Sequence, residues 1–480
     1  MASFGGLFYC PKNSNFLERR YMFKSRAKEW VERTLLMAKL SARKGFKREM
    51  EKRIDYYFDR QLPYLRDLLK ARYADADALG LEPEFINVIK TIVDSTALVY
   101  RSGAARNLVA PDGEASPEER ELWNWLMANS RYDATMKTLH RMVKLCRTVL
   151  VKPSFRKGAI KLDLLTPDQI DVIQDAEDPS EAEAFIYTRP RSETSIAEPL
   201  VYHYWDRDNY RRFTANGEFV PVPGNPKGVN PYGELPFVRF SETLPLTGFF
   251  VDAGEDMTAI QDAINLKLVQ LNHLIKMQSF SVPVLIGYDG PEKIVVAPGK
   301  PIKIPLGRIG GANPSFKFES PNPAINECLM VIREEIARLA QTYHISSANF
   351  SIDSGARSGF ALVMENLALF EDRQNAVPFY EDAEEELFRI IKRIWNAHAQ
   401  FLPPDHPFAG VKFGERTELS VTVHDVRLPQ APQDEAAEWK FLIENKMATP
   451  IDYMMLRFQM TREEARAKYA ENLLWFEEQN

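Results

Sequence analysis

The chain has 480 residues, too many for one hydrophobic core, so two or more structural regions are expected. With 45% hydrophobic and 27% charged residues, wholesale disorder is excluded. A net charge of −6 conceals an asymmetry: residues 1–53 hold 14 Lys/Arg against 5 Asp/Glu, and the rest holds 47 against 62, which excludes a body that grips DNA along its whole length.

The basic first segment fits an arm for nucleic acid or an acidic partner; the plainer reading is a solvated basic helix face. Three distant cysteines, Cys10, Cys146 and Cys328, form no disulfide framework and no CxxC for zinc, so a reducing cytoplasm is the expected origin. No apolar run nears the roughly 18 residues of a membrane helix, and no signal peptide is read at the N-terminus, so a soluble intracellular product is expected.

Along the chain, residues 15–73 read as helical, with Trp30, Leu35, Leu36 and Leu40 on one face. A second amphipathic helix follows Pro83, its inward face carrying Ile86, Ile89, Ile92, Val93 and Val99. From about 145 to 250 the period becomes two: LVYHYWD (200–206), a hairpin over 209–222 turning at Asn216-Gly217, and ELPFVRF (234–240). Residues 255–279 lack glycine and proline and space Met257, Ile260, Ile264, Leu268, Leu271 and Ile275 as an apolar stripe, giving a helix of roughly 37 Å. A Pro/Gly-dense β segment (281–323) and a returning helix (324–343) make this a projecting stalk with a knob at its tip. A polar Ser/Gly loop, 344–359, leads into the longest helical run, 360–402, which Ser358 is placed to cap and Pro378 is expected to kink. A strand at 418–426 and short helices over 432–480 complete the chain, with a capping-box spacing from Thr461 to Glu464. The expected fold class is α+β, mainly helical.

Catalytic motifs are wanting. There is no GxxxxGK[ST], since Ile294 stands where the first glycine before Gly299-Lys300 belongs, and no HExxH. The SxxK tetrads Ser41–Lys44 and Ser154–Lys157 lack their companion motifs, and Gly355–Gly359 sets its serine one position late for a nucleophile elbow. His424-Asp425 are strand neighbours that face opposite ways, and Glu384, Glu385 and Glu386 read as a solvated helix face. No enzyme, cofactor or metal is expected.

The order of elements, carried by NVIKTIVDSTALVY (87–100), residues 262–287, SGARSGFALVMENLALFEDRQN (354–375) and TPIDYMMLRFQMTREEA (449–465), resembles the portal protein of a tailed double-stranded DNA bacteriophage over roughly residues 50–475. After the basic arm (1–53), which is read from charge, the resemblance implies an α+β wing (54–253), stem helices (254–280 and 324–343) around a clip (281–323), and a tunnel loop (344–359). A long helix with a return strand (360–431) and a crown without extension (432–480) would follow. It implies a dodecameric ring at one capsid vertex, in the virion after assembly in the host cytoplasm, conducting double-stranded DNA in packaging and ejection. Its partners would be the terminase large subunit, the major capsid protein or a scaffold, and a head–tail adaptor, with no membrane. The arm matches no family motif, so its capsid or scaffold role is a guess from position. By position, His344, Ser347, Asn349, Ser351 and Arg357 would line the channel. Ile260, Ile264, Leu268, Leu271 and Ile275 would pack the stem, and Leu266 and Val269 would offer a second face to a neighbouring subunit. Val284, Ile286, Ile294, Val295, Ile302 and Ile304 would build a clip sheet open to the adaptor. The alternatives are another phage head protein, minor capsid or scaffold-interacting, and a nucleic-acid enzyme.

Overall fold

The computed structural model describes residues 44–73, 76, 79–111, 113–188, 201–214, 218–279, 282–286, 315–319, 325–346, 366–425, 432–458 and 462–479. They belong to two compact units, one comprising residues up to 350 with Leu369–His424, the other Ser351–Ala368 with Asp425–Asn480. The fold is α+β.

In the larger unit, the helical reading of 44–73 resolves into α1 (Lys44–Tyr57) and α2 (Leu62–Arg72). The break has a cause in the sequence: Pro63 sits in the first turn of α2, where a missing N–H costs nothing, and Asp59 adopts a left-handed φ of 62°. Met50, Arg53, Tyr56 and Tyr57 form the buried side of α1. The next helix, α3 (Val88–Thr96), starts later than the apolar pattern suggests. Ile86 precedes it and is 47% exposed, whereas Val99, past its end, is buried.

A three-stranded antiparallel sheet pairs β1 (Ala104–Ala110) with β2 (Gly113–Glu114) and with the distant β13 (Glu418–Val423). β13 is an outer strand, yet Glu381 and Glu385 accept hydrogen bonds from Val423 N (2.9 Å) and Val421 N (3.4 Å), occupying donors that would otherwise invite another strand. Two helices missed by the period reading follow, α4 (Pro117–Ser130) and α5 (Tyr132–Cys146). The signal for α4 was present: Ser116-Pro-Glu-Glu119 is a capping box with proline at the first helical position, and both of its reciprocal bonds form.

The β region resolves into β3 (Thr148–Arg156), β4 (Ala159–Leu165) and β10 (Val238–Ser241) in one antiparallel sheet. A five-stranded meander comprises β5 (Ile170–Gln174), β6 (Ala182–Thr188), β7 (Val201–Asp206), β8 (Tyr210–Thr214) and β9 (Phe219–Val220). β3 and β4 meet through Lys157-Gly158, both at positive φ, the pattern of a two-residue hairpin whose twist suits the strands. The tip of the hairpin expected at Asn216-Gly217 lies outside the described residues.

The helix α6 (Asp256–Ser279), the antiparallel pair β11 (Val282–Ile286) and β12 (Ser315–Glu319), and α7 (Ile325–Thr342) follow in turn. The long helix α8 (Leu367–His398) then continues unbroken through Pro378, which lies between the buried Ala376 and Tyr380. Packing on both sides offsets the lost hydrogen bond at the proline. Its inner face, including Leu387, Phe388, Ile391, Ile394 and Trp395, is the axis of the main core. Phe388 and Trp123 meet edge-to-face at 5.1 Å, and each such fully buried side chain contributes about 1.5–3 kcal/mol.

The smaller unit contains α9 (Pro432–Glu444), α10 (Pro450–Phe458) and α11 (Arg462–Gln479). Thr449 caps α10, accepting from Asp452 N at 3.2 Å while Asp452 accepts from Thr449 N at 2.8 Å. The capping residue expected for α11, Thr461, lies outside the described residues, as do Ser358 and residues 360–365.

Candidate functional site: the root of the helical hairpin

Helices α6 and α7 pack side by side, and α6 packs against α1, α2 and α3. What fixes the root of α6 is polar. Arg53, only 1% exposed, sends Nη1 to Leu145 O (3.1 Å) and Nη2 to Ala253 O and Gly254 O (2.8 Å each), while its Nε reaches Glu49 at 3.2 Å. One guanidinium thereby satisfies carbonyls at the C-terminus of α5 and in the segment entering α6. Glu49 also accepts from Thr258 Oγ1 at 2.6 Å, and Asp262 accepts from Lys52 at 2.7 Å and Tyr56 at 2.5 Å.

One turn further along α6 lies a ladder of amides. Gln261 Oε1 accepts from Val88 N (3.0 Å) and Ile89 N (3.2 Å), and its Nε2 donates to Ile86 O (2.7 Å) and Asn265 Oδ1 (2.9 Å). Asn265 donates in turn to Gln61 Oε1 (2.8 Å), and Gln61 to Tyr56 O (3.3 Å). Gln61, Gln261 and Asn265 are all fully buried. The first N–H groups of a helix have no partner within it, so the amino end of α3 is completed by a side chain of α6, alongside its own N-cap, Asn87.

The root of α7 ends in a motif. Ile345 N bonds Ala340 O (2.9 Å) and His344 N bonds Gln341 O (3.1 Å), a Schellman pair with His344 in the left-handed position that glycine usually takes. Ile345 is buried beneath it, and the half-exposed His344 ring sets Nδ1 3.4 Å from Asp372 Oδ2 on α8. A polar cleft of about 690 Å³ opens at this junction, lined among others by Arg53, Lys144, Arg147, Asp256, Tyr343 and Asp372.

In the wall of the cleft, Glu242 accepts from Lys144 (2.8 Å), Tyr380 (3.3 Å) and His140 Nε2 (3.2 Å). His140 Nδ1 accepts from Val99 N at 3.2 Å, so the network assigns the proton to Nε2. Burial lowers the His140 pKa, against the pull of Glu242, and favours the neutral ring. Burial pushes Glu242 upward, but hydrogen bonds and charge from His140 and Lys144 outweigh it and bring the carboxyl to about 2.

Of the stem-packing residues expected from the sequence, Ile264 and Leu271 are buried and Ile260 and Leu268 half-buried, while Ile275 is 41% exposed. Leu266 and Val269 pack within the same chain, in a cluster with Leu65, Leu69 and Ala76. This corrects the expectation that they face a neighbour: α2 folds back onto that side of α6. His344 is placed as described, whereas Ser347, Asn349, Ser351 and Arg357 lie outside the described residues. Val284 and Ile286 stand in β11 opposite Lys317 and Ser315, with their side chains undescribed, and Ile294, Val295, Ile302 and Ile304 lie outside. The Ser154–Lys157 tetrad is not a catalytic pair, because Ser154 Oγ accepts from Lys152 (2.9 Å) and donates to Asp163 (3.0 Å). Among the described residues no group of three or more His, Cys, Asp or Glu is placed to hold a metal ion, and no helix is long and apolar enough to cross a membrane.

Sequence reasoning missed the anchors Arg53, Gln61, His140, Glu242, Gln261 and Asn265. One signal was available: Gln261 and Asn265 stand four apart, beside Ile260 and Ile264, where an apolar stripe has no use for two amides.

Residues 84–412 match the family described as phage portal protein, SPP1 Gp6-like, and the chain belongs to that family of virion structural proteins. The fold is similar to a chain in the virion of a native gene transfer agent particle, at 13% identity and a TM-score of 0.38, covering 77% of this chain and 88% of that one. It is also similar to a chain in the neck of the native particle computed with C12 symmetry, at 14% identity and a TM-score of 0.37, covering 79% and 87%. No curated protein matches the chain.

Proposed function

We propose that this portal protein forms a dodecameric ring at one vertex of the capsid and conducts double-stranded DNA through its axis during packaging and ejection. The observation that carries this reading is the family match over residues 84–412, which includes both hairpin helices and α8. In it, α6 and α7 are the stem, residues 281–323 the clip, 344–359 the tunnel loop and 432–480 the crown. The ring docks the terminase large subunit, then a head–tail adaptor at the clip, and sits among major capsid or scaffold subunits. ATP hydrolysis belongs to the terminase, and the portal acts without catalysis or cofactor.

Charge supports a conduit. Continuous Lys/Arg contact with phosphate binds strongly and would brake a sliding duplex. Outside residues 1–53 the chain carries 62 acidic against 47 basic residues, so the ring presents isolated basic points on an acidic body. Arg357 is the permanent cation of the proposed tunnel loop, and symmetry multiplies it into a circle; Ser347, Asn349 and Ser351 add exchangeable phosphate contacts. Native mass and negative-stain images of the purified protein test this: twelve chains of 55.1 kDa give about 660 kDa with a central hole. A monomer or dimer without a pore would refute it and favour another head protein; magnesium-dependent nuclease activity in such a species would favour an enzyme.

A further inference from the structure

The chain leaves the larger unit after residue 350, returns to it at Leu369 and leaves again after His424. Both departures are held by consecutive residues of α8. Asp372 Oδ2 stands 3.4 Å from Nδ1 of His344, the left-handed residue that closes α7. A Cβ is strained in that conformation, where glycine is not, and what histidine adds over glycine is a ring that reaches α8. Arg373 Nη2 donates to His424 O at 2.5 Å, just past β13, and its Nε donates to Leu98 O at 3.3 Å, just past α3. Neighbouring residues on a helix point about 100° apart, so the half-exposed Asp372 and the buried Arg373 hold different segments from one turn.

The turns that carry this pair have little apolar burial. The inward positions of α8 begin Leu369, Arg373, Ala376, Tyr380, spaced by four, three and four, so an arginine fills a place where the stripe calls for a carbon side chain. A guanidinium only 5% exposed is tolerated where carbonyls meet its donors, as Leu98 O and His424 O do. After Ala376 the helix buries Tyr380, Leu387, Phe388 and Ile391; from Leu367 to Asn375 its buried residues are Leu369 and Arg373. A helix end held by so little hydrocarbon opens locally at a lower cost than the rest of the fold.

We propose that the Leu369–Asn375 stretch of α8 is a lock whose opening frees both departures together. While the stretch is helical, Asp372 and Arg373 hold the ends of α7 and β13; when it frays, both contacts go at once. Loss of either contact in turn favours the frayed state, because the two are a large share of what holds these turns. The element with two states is the helix end itself, and both contacts bias it. The lock is a property of the single chain. One consequence rests on the portal reading: there the first departure leads into the tunnel loop and the second into the crown, so one event at α8 acts on both.

Amide hydrogen exchange on the whole protein tests this. The reporters at one departure are His344 N and Ile345 N, bonded to Gln341 O and Ala340 O; at the other they are Val423 N and His424 N, bonded to Glu381 and Gly103 O. Arg373→Met should speed exchange at both pairs by at least about tenfold, and Asp372→Ala at both by about two- to fivefold, with α4 unchanged. Asp372→Ala raises intrinsic helix propensity, so loosening there comes from the lost contact. Glu371→Ala, at an exposed neighbour, should move neither pair. If each variant speeds only the pair it touches, the contacts are independent and the lock is overturned; if neither variant speeds either pair, the contacts hold nothing and it is overturned as well. Should Arg373→Met also speed α4, its effect is global and Asp372→Ala alone decides. Native mass of the same samples keeps the two proposals apart, since a monomeric parent would overturn the ring and leave the lock standing.

Discussion

Replacing Gln261 by leucine removes four hydrogen bonds at almost constant volume. Ile89 N, in a fully buried residue, loses its acceptor and the buried Asn265 Oδ1 loses its donor, while Val88 N and Ile86 O keep the bond of 3.1 Å that they make to each other. Each orphaned buried group costs about 1–3 kcal/mol, and Ile89 N cannot turn to α3's own carbonyls, so a total of about 2–4 kcal/mol is expected after leucine's apolar gain. At about 1.2 °C per kcal/mol for a body of about four hundred residues, the melting temperature should fall by about 2–5 °C. The assay is intrinsic-fluorescence melting at fixed protein concentration, because assembly shifts the midpoint by mass action. Gln270→Leu is the control: that amide is exposed and donates to the Tyr73 hydroxyl, and its loss should cost under about 0.5 kcal/mol. If Gln261→Leu melts within 1 °C of the parent, the ladder is not what holds α6 to α3, and the polar-root account fails.

Glu384, fully buried, pairs bidentately with Arg106 at 2.5 and 3.0 Å; Glu384→Ala should destabilise by about 3–5 kcal/mol in chemical denaturation, and the double variant Arg106→Met/Glu384→Met should recover most of that loss. A double variant as unstable as the single one would show that the pair is not the cause. Acid should also loosen the fold. With its folded pKa lowered, His140 stays neutral there while the unfolded chain takes up a proton below about 6.5, so stability declines as pH falls through that value. Glu242, ordinarily near 4.5 and held at about 2, adds a further loss between those values. Melting at pH 7.5 against pH 5.5 checks the first step, and a His140→Gln variant with the same slope as the parent would contradict it.

The local grammar of the chain was legible because it depends on near neighbours. The apolar stripe from Met257 to Leu271 marks α6, the alternation in LVYHYWD marks β7, and the unbroken run after 366 marks α8. What stayed hidden depends on distance. β1 pairs with β13 across some three hundred residues, and nothing in AARNLVA names its partner. The fate of Leu266 and Val269 could not be read from their own helix, because the surface that covers them belongs to α2, roughly two hundred residues earlier. The anchors were hidden for a different reason. An arginine, two amides and a histidine inside helices, and a third amide just ahead of α2, look like surface residues until the fold shows carbonyls and amide protons from other elements converging on them.

The contrast between root and rod has a physical logic. Apolar contact is indifferent to small rotations of a helix, because a leucine displaced by a few degrees still meets other carbon. A ladder of amides is not indifferent: rotating α6 would break Gln261 from Val88, Ile89 and Ile86 and Asn265 from Gln61 together, leaving buried amide groups short of partners. Polar groups at the root therefore fix the azimuth of the hairpin, and with it the direction in which its outer side chains point. That is what a helical hairpin needs if its outer contacts are to repeat identically from copy to copy, since an angular error at each root accumulates around a closed circle. On this argument, Gln261→Leu acts twice: it lowers the melting temperature of the single chain, and it broadens the distribution of assembled sizes beyond what the lost stability alone produces. A stability-matched core variant, such as Ile391→Ala at the buried face of α8 with its cost of about 2–5 kcal/mol, separates the two effects. If both variants assemble with the same spread of masses, the ladder contributes stability alone and the hairpin's direction is set elsewhere.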